Sequence, residues 1–101
     1  MAKLQEYEVK INRTALADLD DLYEYVSACY SKETALEIRQ RIKDAIRSLR
    51  ELSKRQRIFF LNLRRLIVGK YYIFYEVNGH TVTVRAILHS SMDVVSHLKG
   101  R

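Results

Sequence analysis

Lys70, Tyr72, Arg85 and His89 are the residues of this chain whose types and spacing could do chemistry together. A cation and a guanidinium bind phosphate, a phenol orients or stacks, and an imidazole gives or takes a proton near neutral pH. All four lie in two stretches, 66–77 and 80–89, where β-branched and aromatic residues dominate and which meet at Asn78-Gly79. Asn-Gly tolerates positive φ at both central positions of a type I′ turn, so the two stretches read as the arms of a β-hairpin.

With Asn78 and Gly79 as the loop, counting outward sets Val77 opposite His80, Tyr75 opposite Val82, Ile73 opposite Val84 and Tyr71 opposite Ala86, with Leu88 beyond. That parity is apolar and is expected to face the core. The complementary parity pairs Glu76 with Thr81, Phe74 with Thr83, Tyr72 with Arg85 and Lys70 with Ile87, and ends in His89. Lys70, Tyr72, Arg85 and His89 would then share a face turned away from the core. Two readings stand: a polar surface that solvent alone explains, or a surface that works on a phosphate.

The elements that hold this hairpin are legible on either side of it. Glu6 to Ile11 alternates polar and apolar, predicting a short strand with a charged outer face, suited to the rim of a sheet. Asn12 and Thr14 offer caps to a first amphipathic helix over 14–29, carried by Leu16, Leu19, Tyr23 and Val26. Cys29, the single cysteine, sits at its end with Leu22 and Tyr25 behind it and reads as a buried structural thiol. Ser31 is the expected cap of a second helix over 32–53, striped by Ala35, Ile38, Ile42, Ala45, Ile46, Leu49 and Leu52. So short a connection makes the pair an antiparallel hairpin whose apolar stripes the sheet must cover.

The segment 53–63 is read as a loop tucking Phe59 or Phe60 against the helices. A strand over 64–68 follows, with Gly69-Lys70 as the tight turn into the long hairpin. Beyond His89, Ser90 to Asp93 has the spacing of a capping box, and Val94, Val95 and Leu98 suit a short terminal helix or mobile tail. The fold class is α+β, a single domain over 1–101.

Charge is distributed unevenly. Residues 1–30 carry net −3, residues 31–70 net +8 and residues 71–101 net +1, within an overall +6. The basic side chains Arg39, Arg41, Lys43, Arg47, Arg50, Lys54, Arg55 and Arg57, continued by Arg64 and Arg65, form a stripe that attracts polyanions or an acidic protein segment. Asp18, Asp20 and Asp21 lie on different bearings of a helix, and neither His nor Cys joins them, so no metal and no cofactor is expected. No run of about 18 apolar residues and no signal sequence is present, which points to a cytoplasmic protein.

The order strand, helix, helix, strand, strand, strand, with 65–77 followed by 82–89, resembles the RelE/ParE superfamily of bacterial type II toxins over essentially the whole chain. That resemblance implies a β-α-α-β-β-β fold with the helical hairpin on one face of a small, mainly antiparallel sheet. It also implies a cognate acidic antitoxin that covers the sheet and the groove beside it. Two activities follow from it. ParE-like members poison DNA gyrase and need no catalytic residue. RelE-like members cleave messenger RNA on the translating ribosome without metal, driving the ribose 2′-hydroxyl onto the adjacent phosphate. For that chemistry His89 would serve as acid or base, Arg85 and Lys70 would hold the phosphate, and Tyr72 would orient or stack. The chain departs from the RelE pattern: Tyr72 stands where a phosphate-binding arginine is expected, and another expected arginine falls near Ser91. For a binder, Arg47, Arg50, Lys54, Arg55, Arg57, Arg64 and Arg65 with the Phe59-Phe60 segment form the docking surface.

Overall fold

The computed structural model describes residues 6–52 and 58–100. Strand β1 (Glu8–Ile11) leads into helices α1 (Arg13–Cys29) and α2 (Lys32–Leu52), then strands β2 (Ile58–Phe60), β3 (Leu63–Val68), β4 (Tyr71–Asn78) and β5 (Thr81–His89), and helix α3 (Val94–Lys99). The architecture is the expected α+β one, with a short further strand, β2, where a loop was read. Sheet order is β1-β5-β4-β3-β2. β1 runs parallel to β5 and the other three pairings are antiparallel. β1 takes the rim position that its charged outer residues predict.

Side-chain caps start both long helices. Asn12 Oδ1 accepts from the Ala15 N–H at 2.9 Å, and Ser31 Oγ from the Thr34 N–H at 3.0 Å, so each supplies an acceptor that the first turn lacks. Ala15, Leu19, Ile42, Ile46 and Leu49 then bury against Ile73, Tyr75, Val82, Val84 and Ile87 of the sheet. Each large apolar side chain so buried contributes roughly 1.5–3 kcal/mol. Leu16, expected in this stripe, is instead 46% exposed, its place at the interface taken by Ala15. The Leu52 side chain lies outside the described residues.

The hairpin forms, with a different register. Asn78 pairs with Thr81, Val77 with Val82 and Tyr75 with Val84, so the loop is Gly79-His80, and the one positive φ in it is that of Gly79, +62°. A first central residue with positive φ is the sign of a type II′ rather than a type I′ turn. The register slides by two residues here, which preserves parity: Val77, Tyr75, Val82 and Val84 still face the helices. A bulge at Arg85 then changes the parity. Beyond it Phe74 pairs with Ala86, Ile73 with Ile87, Tyr72 with Leu88 and Tyr71 with His89. One extra residue on a strand turns every later side chain to the other face.

The far face of the sheet acquires a second core as a result. Leu63, Phe74, Ala86 and Leu88 are buried there under Leu98 of α3, with Val94 and Tyr72 packed alongside. The tail is therefore a docked helix. Its cap is Asp93, which accepts from the Ser96 hydroxyl at 2.7 Å and the Ser96 N–H at 3.4 Å; Ser90 is not the cap, and its N–H donates to the Lys70 carbonyl at 2.8 Å. The same hydrogen bonds hold the Asp93 carboxyl below its ordinary range. Phe59 also belongs to this face, its ring 5.6 Å from that of Phe74, and does not tuck against the helical hairpin. The Phe60 side chain lies outside the described residues.

Candidate functional site

The bulge divides the four residues expected on one surface. His89 pairs with Tyr71, and the two rings meet edge-on at 5.2 Å on the side of the helices. Tyr72 stands on the far face, edge-on to Phe74 at 6.1 Å. Arg85, the bulged residue, is exposed and its guanidinium lies 3.4 Å from the Glu76 carboxylate. Lys70 is exposed in the β3–β4 turn, beside the same groove as His89. The expected common surface of Lys70, Tyr72, Arg85 and His89 is thus replaced by two sites on opposite faces, because five consecutive residues, Arg85 to His89, do not keep the alternation assumed for them.

On the helix side, a groove passes between the α1–α2 hairpin and the ends of β3, β4 and β5. One half, of 540 Å³, is lined by Tyr25, Tyr30, Arg41, Lys70, Tyr71 and His89 among others, and the other, of 360 Å³, shares Tyr25, Tyr71 and His89 and ends at Asp18 and Asp21. The Asp18 carboxylate is already engaged: its Oδ2 accepts from the Ile87 N–H at 3.0 Å, on a stretch of β5 that outruns the short β1. His89 Nδ1 accepts from the Ser91 N–H at 3.0 Å, with the Ser91 hydroxyl 2.7 Å away, so the proton of the neutral ring sits on Nε2. Burial, and then the neighbouring Tyr30 and Tyr25 phenols, raise the Tyr71 phenol above its ordinary value. Tyr25 is raised too, first by its hydrogen bond with Cys29 and then by the proximity of Cys29 and Tyr30. The Tyr71 and Tyr25 phenols therefore remain protonated at neutral pH. Cys29 itself is exposed rather than buried, although Val26 one turn earlier on α1 is enclosed.

The far face carries a different chemistry. The Arg65 guanidinium lies 4.3 Å from the centre of the Phe59 ring and 4.9 Å from that of Tyr72, sandwiched between the two. Around it Ile67 is 56% exposed, Phe59 40% and Leu61 70%, an apolar surface with a cation at its centre. Leu61 has φ +55°, a left-handed conformation that a branched side chain adopts at a cost, and it is held at the tip of the β2–β3 turn. Of the other basic residues expected to dock a partner, Arg47 is exposed on α2, Arg50 pairs with Glu6 at 3.4 Å, and Lys54, Arg55 and Arg57 lie outside the described residues. Arg64 pairs in register with Tyr75 and so occupies the face opposite to Arg65. Among the described residues no group of His, Cys, Asp and Glu could hold a metal ion. Of the other groove residues, the sequence places Arg41 only within the basic stripe and Tyr25 only as apolar backing for Cys29; Tyr30 has a single signal, its position just before the Ser31 cap at the exposed bend of the helical hairpin.

Residues 9–94 match the family described as ParE toxin of type II toxin-antitoxin system, parDE. The chain belongs to the ParE toxin family. Toxin ParE1 of Caulobacter vibrioides is 28% identical over 92 residues, spanning 88% of this chain and 95% of that protein. The fold is shared with the chromosomal ParDE system of Pseudomonas aeruginosa, at TM-score 0.77 and 22% identity over 84% of this chain and 97% of that one. It is shared more distantly with the RelBE2 toxin-antitoxin complex of Mycobacterium tuberculosis, at TM-score 0.59 and 19% identity over 83% and 98% of the two chains. The RelE/ParE resemblance read from the hairpin is therefore correct, and this ParE-family chain is a type II toxin. Among its described residues no helix is long and apolar enough to cross a membrane.

Proposed function

We propose that this toxin halts bacterial growth by binding and poisoning DNA gyrase, and that a cognate acidic antitoxin neutralises it. The observation that carries this reading is the ParE family match across residues 9–94. The separation of His89 from Tyr72 and Arg85 by the bulge supports it, because a nuclease needs acid, base and phosphate-binding cations around one scissile bond, whereas a binder needs only a surface. Phe59, Leu61 and Ile67 around Arg65 supply such a surface: apolar area and an aromatic-stacked arginine are what protein interfaces concentrate. An acidic antitoxin segment is matched by the net +8 of residues 31–70. The RelE-like alternative, ribosome-dependent cleavage of messenger RNA by His89, Arg85, Tyr72 and Lys70, makes the opposite prediction.

Purified toxin is assayed in parallel on gyrase, for lost supercoiling and trapped DNA breaks, and on translating ribosomes, for cut messenger RNA. Gyrase inhibition that survives His89→Ala and Arg85→Ala but falls roughly tenfold or more in Arg65→Ala or Phe59→Ala is the expected result. Messenger RNA cleavage abolished by His89→Ala, with gyrase untouched, would overturn it.

A further inference from the structure

We propose that the groove between the helical hairpin and the β3–β4 turn binds a nucleoside phosphate, either free or as one unit of a single-stranded nucleic acid. It lies on the opposite face from the Arg65 surface, so it does not rest on gyrase being the target. Charge comes first. Arg41 and Lys70 are both exposed and form no ion pair among the described residues, and among those residues no carboxylate lines the half of the groove that they share. The two cations flank one turn: the Arg41 guanidinium nitrogens lie 3.7 and 4.0 Å from where a Cβ on Gly69 would sit. Gly69 has φ +59°, so a glycine is needed there and the turn presents bare backbone to a ligand. A phosphate between two free cations would gain charge-assisted hydrogen bonds with no resident ion pair to break.

The rings come second. Tyr25 is 67% exposed and Tyr30 76%, so core packing does not explain either of them, and Tyr71 stands half-buried between them and His89. Exposed aromatic faces beside cations are the platform on which bases stack. The His89 ring is fixed against Tyr71 and by Ser91 on Nδ1, which leaves Nε2–H as a further donor. The acidic end of the groove, Asp18 and Asp21, directs the phosphate to the Gly69-Lys70 end.

Size and surroundings favour this ligand over a peptide. A volume of 540 Å³ is that of a small-molecule site. β4 is paired on both sides; β5 is paired with β1 only over Thr81–Val84, and on the edge beyond it the Ile87 N–H is already taken by Asp18, which interrupts the row of groups an added strand would need.

The full-length chain is titrated with adenosine monophosphate, with adenosine, with inorganic phosphate, and with a single-stranded oligodeoxyadenylate, following backbone amide signals. Adenosine monophosphate should shift residues 69–71 and 89–91 and saturate, while adenosine or phosphate alone binds about tenfold more weakly. Arg41→Ala and Lys70→Ala should each weaken binding about tenfold, and Tyr30→Ala about fivefold. Lys99→Ala, which removes the same charge from an exposed position on the far face, should leave it unchanged. Tighter binding of the oligonucleotide assigns the site to nucleic acid, and equal or weaker binding to a free nucleotide; both support the proposal. Absence of saturable shifts in the groove at several millimolar ligand, an equal loss in Lys99→Ala, or displacement only by an acidic peptide would overturn it.

Discussion

The two faces of the sheet are covered very unequally. The helix side is closed by helices of 17 and 21 residues, and among the described residues its cluster contains eleven that are buried, with Ile42, Ile73 and Tyr75 each wholly enclosed. The far side is covered by a helix of six residues, and among the described residues its cluster contains five, with Ile67 and Phe59 left to solvent at its margin. Burial of apolar area is the main stabilising term, so the fold rests on the first face while the second is free to present an apolar, arginine-centred surface to a partner. The difference teaches that one small sheet can separate stability from recognition, provided that its strands change parity at a defined place.

Substitutions can break or sharpen that contrast. The largest effect is expected for Ile42→Ala, which leaves a cavity where two helices meet the sheet and should cost about 3–4 kcal/mol in urea unfolding. A loss under about 1 kcal/mol would mean that the helix side does not carry the fold. Leu98→Ala should cost less, about 2 kcal/mol, because α3 covers so small a cluster, and hydrogen exchange should show the α3 amides opening well before the rest. If α3 instead exchanges only with global unfolding, the two faces form one cooperative unit and the contrast fails.

The smallest effect appears only in alkali. Burial pushes the Tyr75 phenol up to about 12, against the opposing pull of Arg64. A phenol that holds its proton more tightly when folded stabilises the protein fully below its unfolded value, near 10, and that contribution is lost as pH rises towards 12. Unfolding midpoints should therefore decline between about pH 10 and 12, and Tyr75→Phe should flatten part of the decline. An identical slope in both proteins would show that Tyr75 is not shielded by the helix side.

The legibility of the chain follows the same division. Helix positions, their Asn12 and Ser31 caps and the core stripe of α2 could be read because period, cap chemistry and burial agree there. β2 was illegible because Ile58 to Leu61 is an apolar run with neither alternation nor a turn glycine, and its Leu61 adopts positive φ against the preference of its type. The exposure of Cys29 is not legible because helical spacing says which side of a helix is apolar, not which of its residues the rest of the chain covers.

What the residues determined alone was the set of elements, the family likeness and the existence of a β-hairpin at Asn78-Gly79, since these depend on local propensity and on alternation in Thr81-Val82-Thr83-Val84. Tertiary structure decided the side on which each later residue lies. From Ala86 to Leu88 the strand is apolar at every position, so alternation carries no information, and only the competing demands of two cores, one under α1 and α2 and one under α3, place the bulge at Arg85. That single extra residue puts His89 in a groove with Arg41 and Lys70, and leaves Tyr72 with Arg65 on the other face.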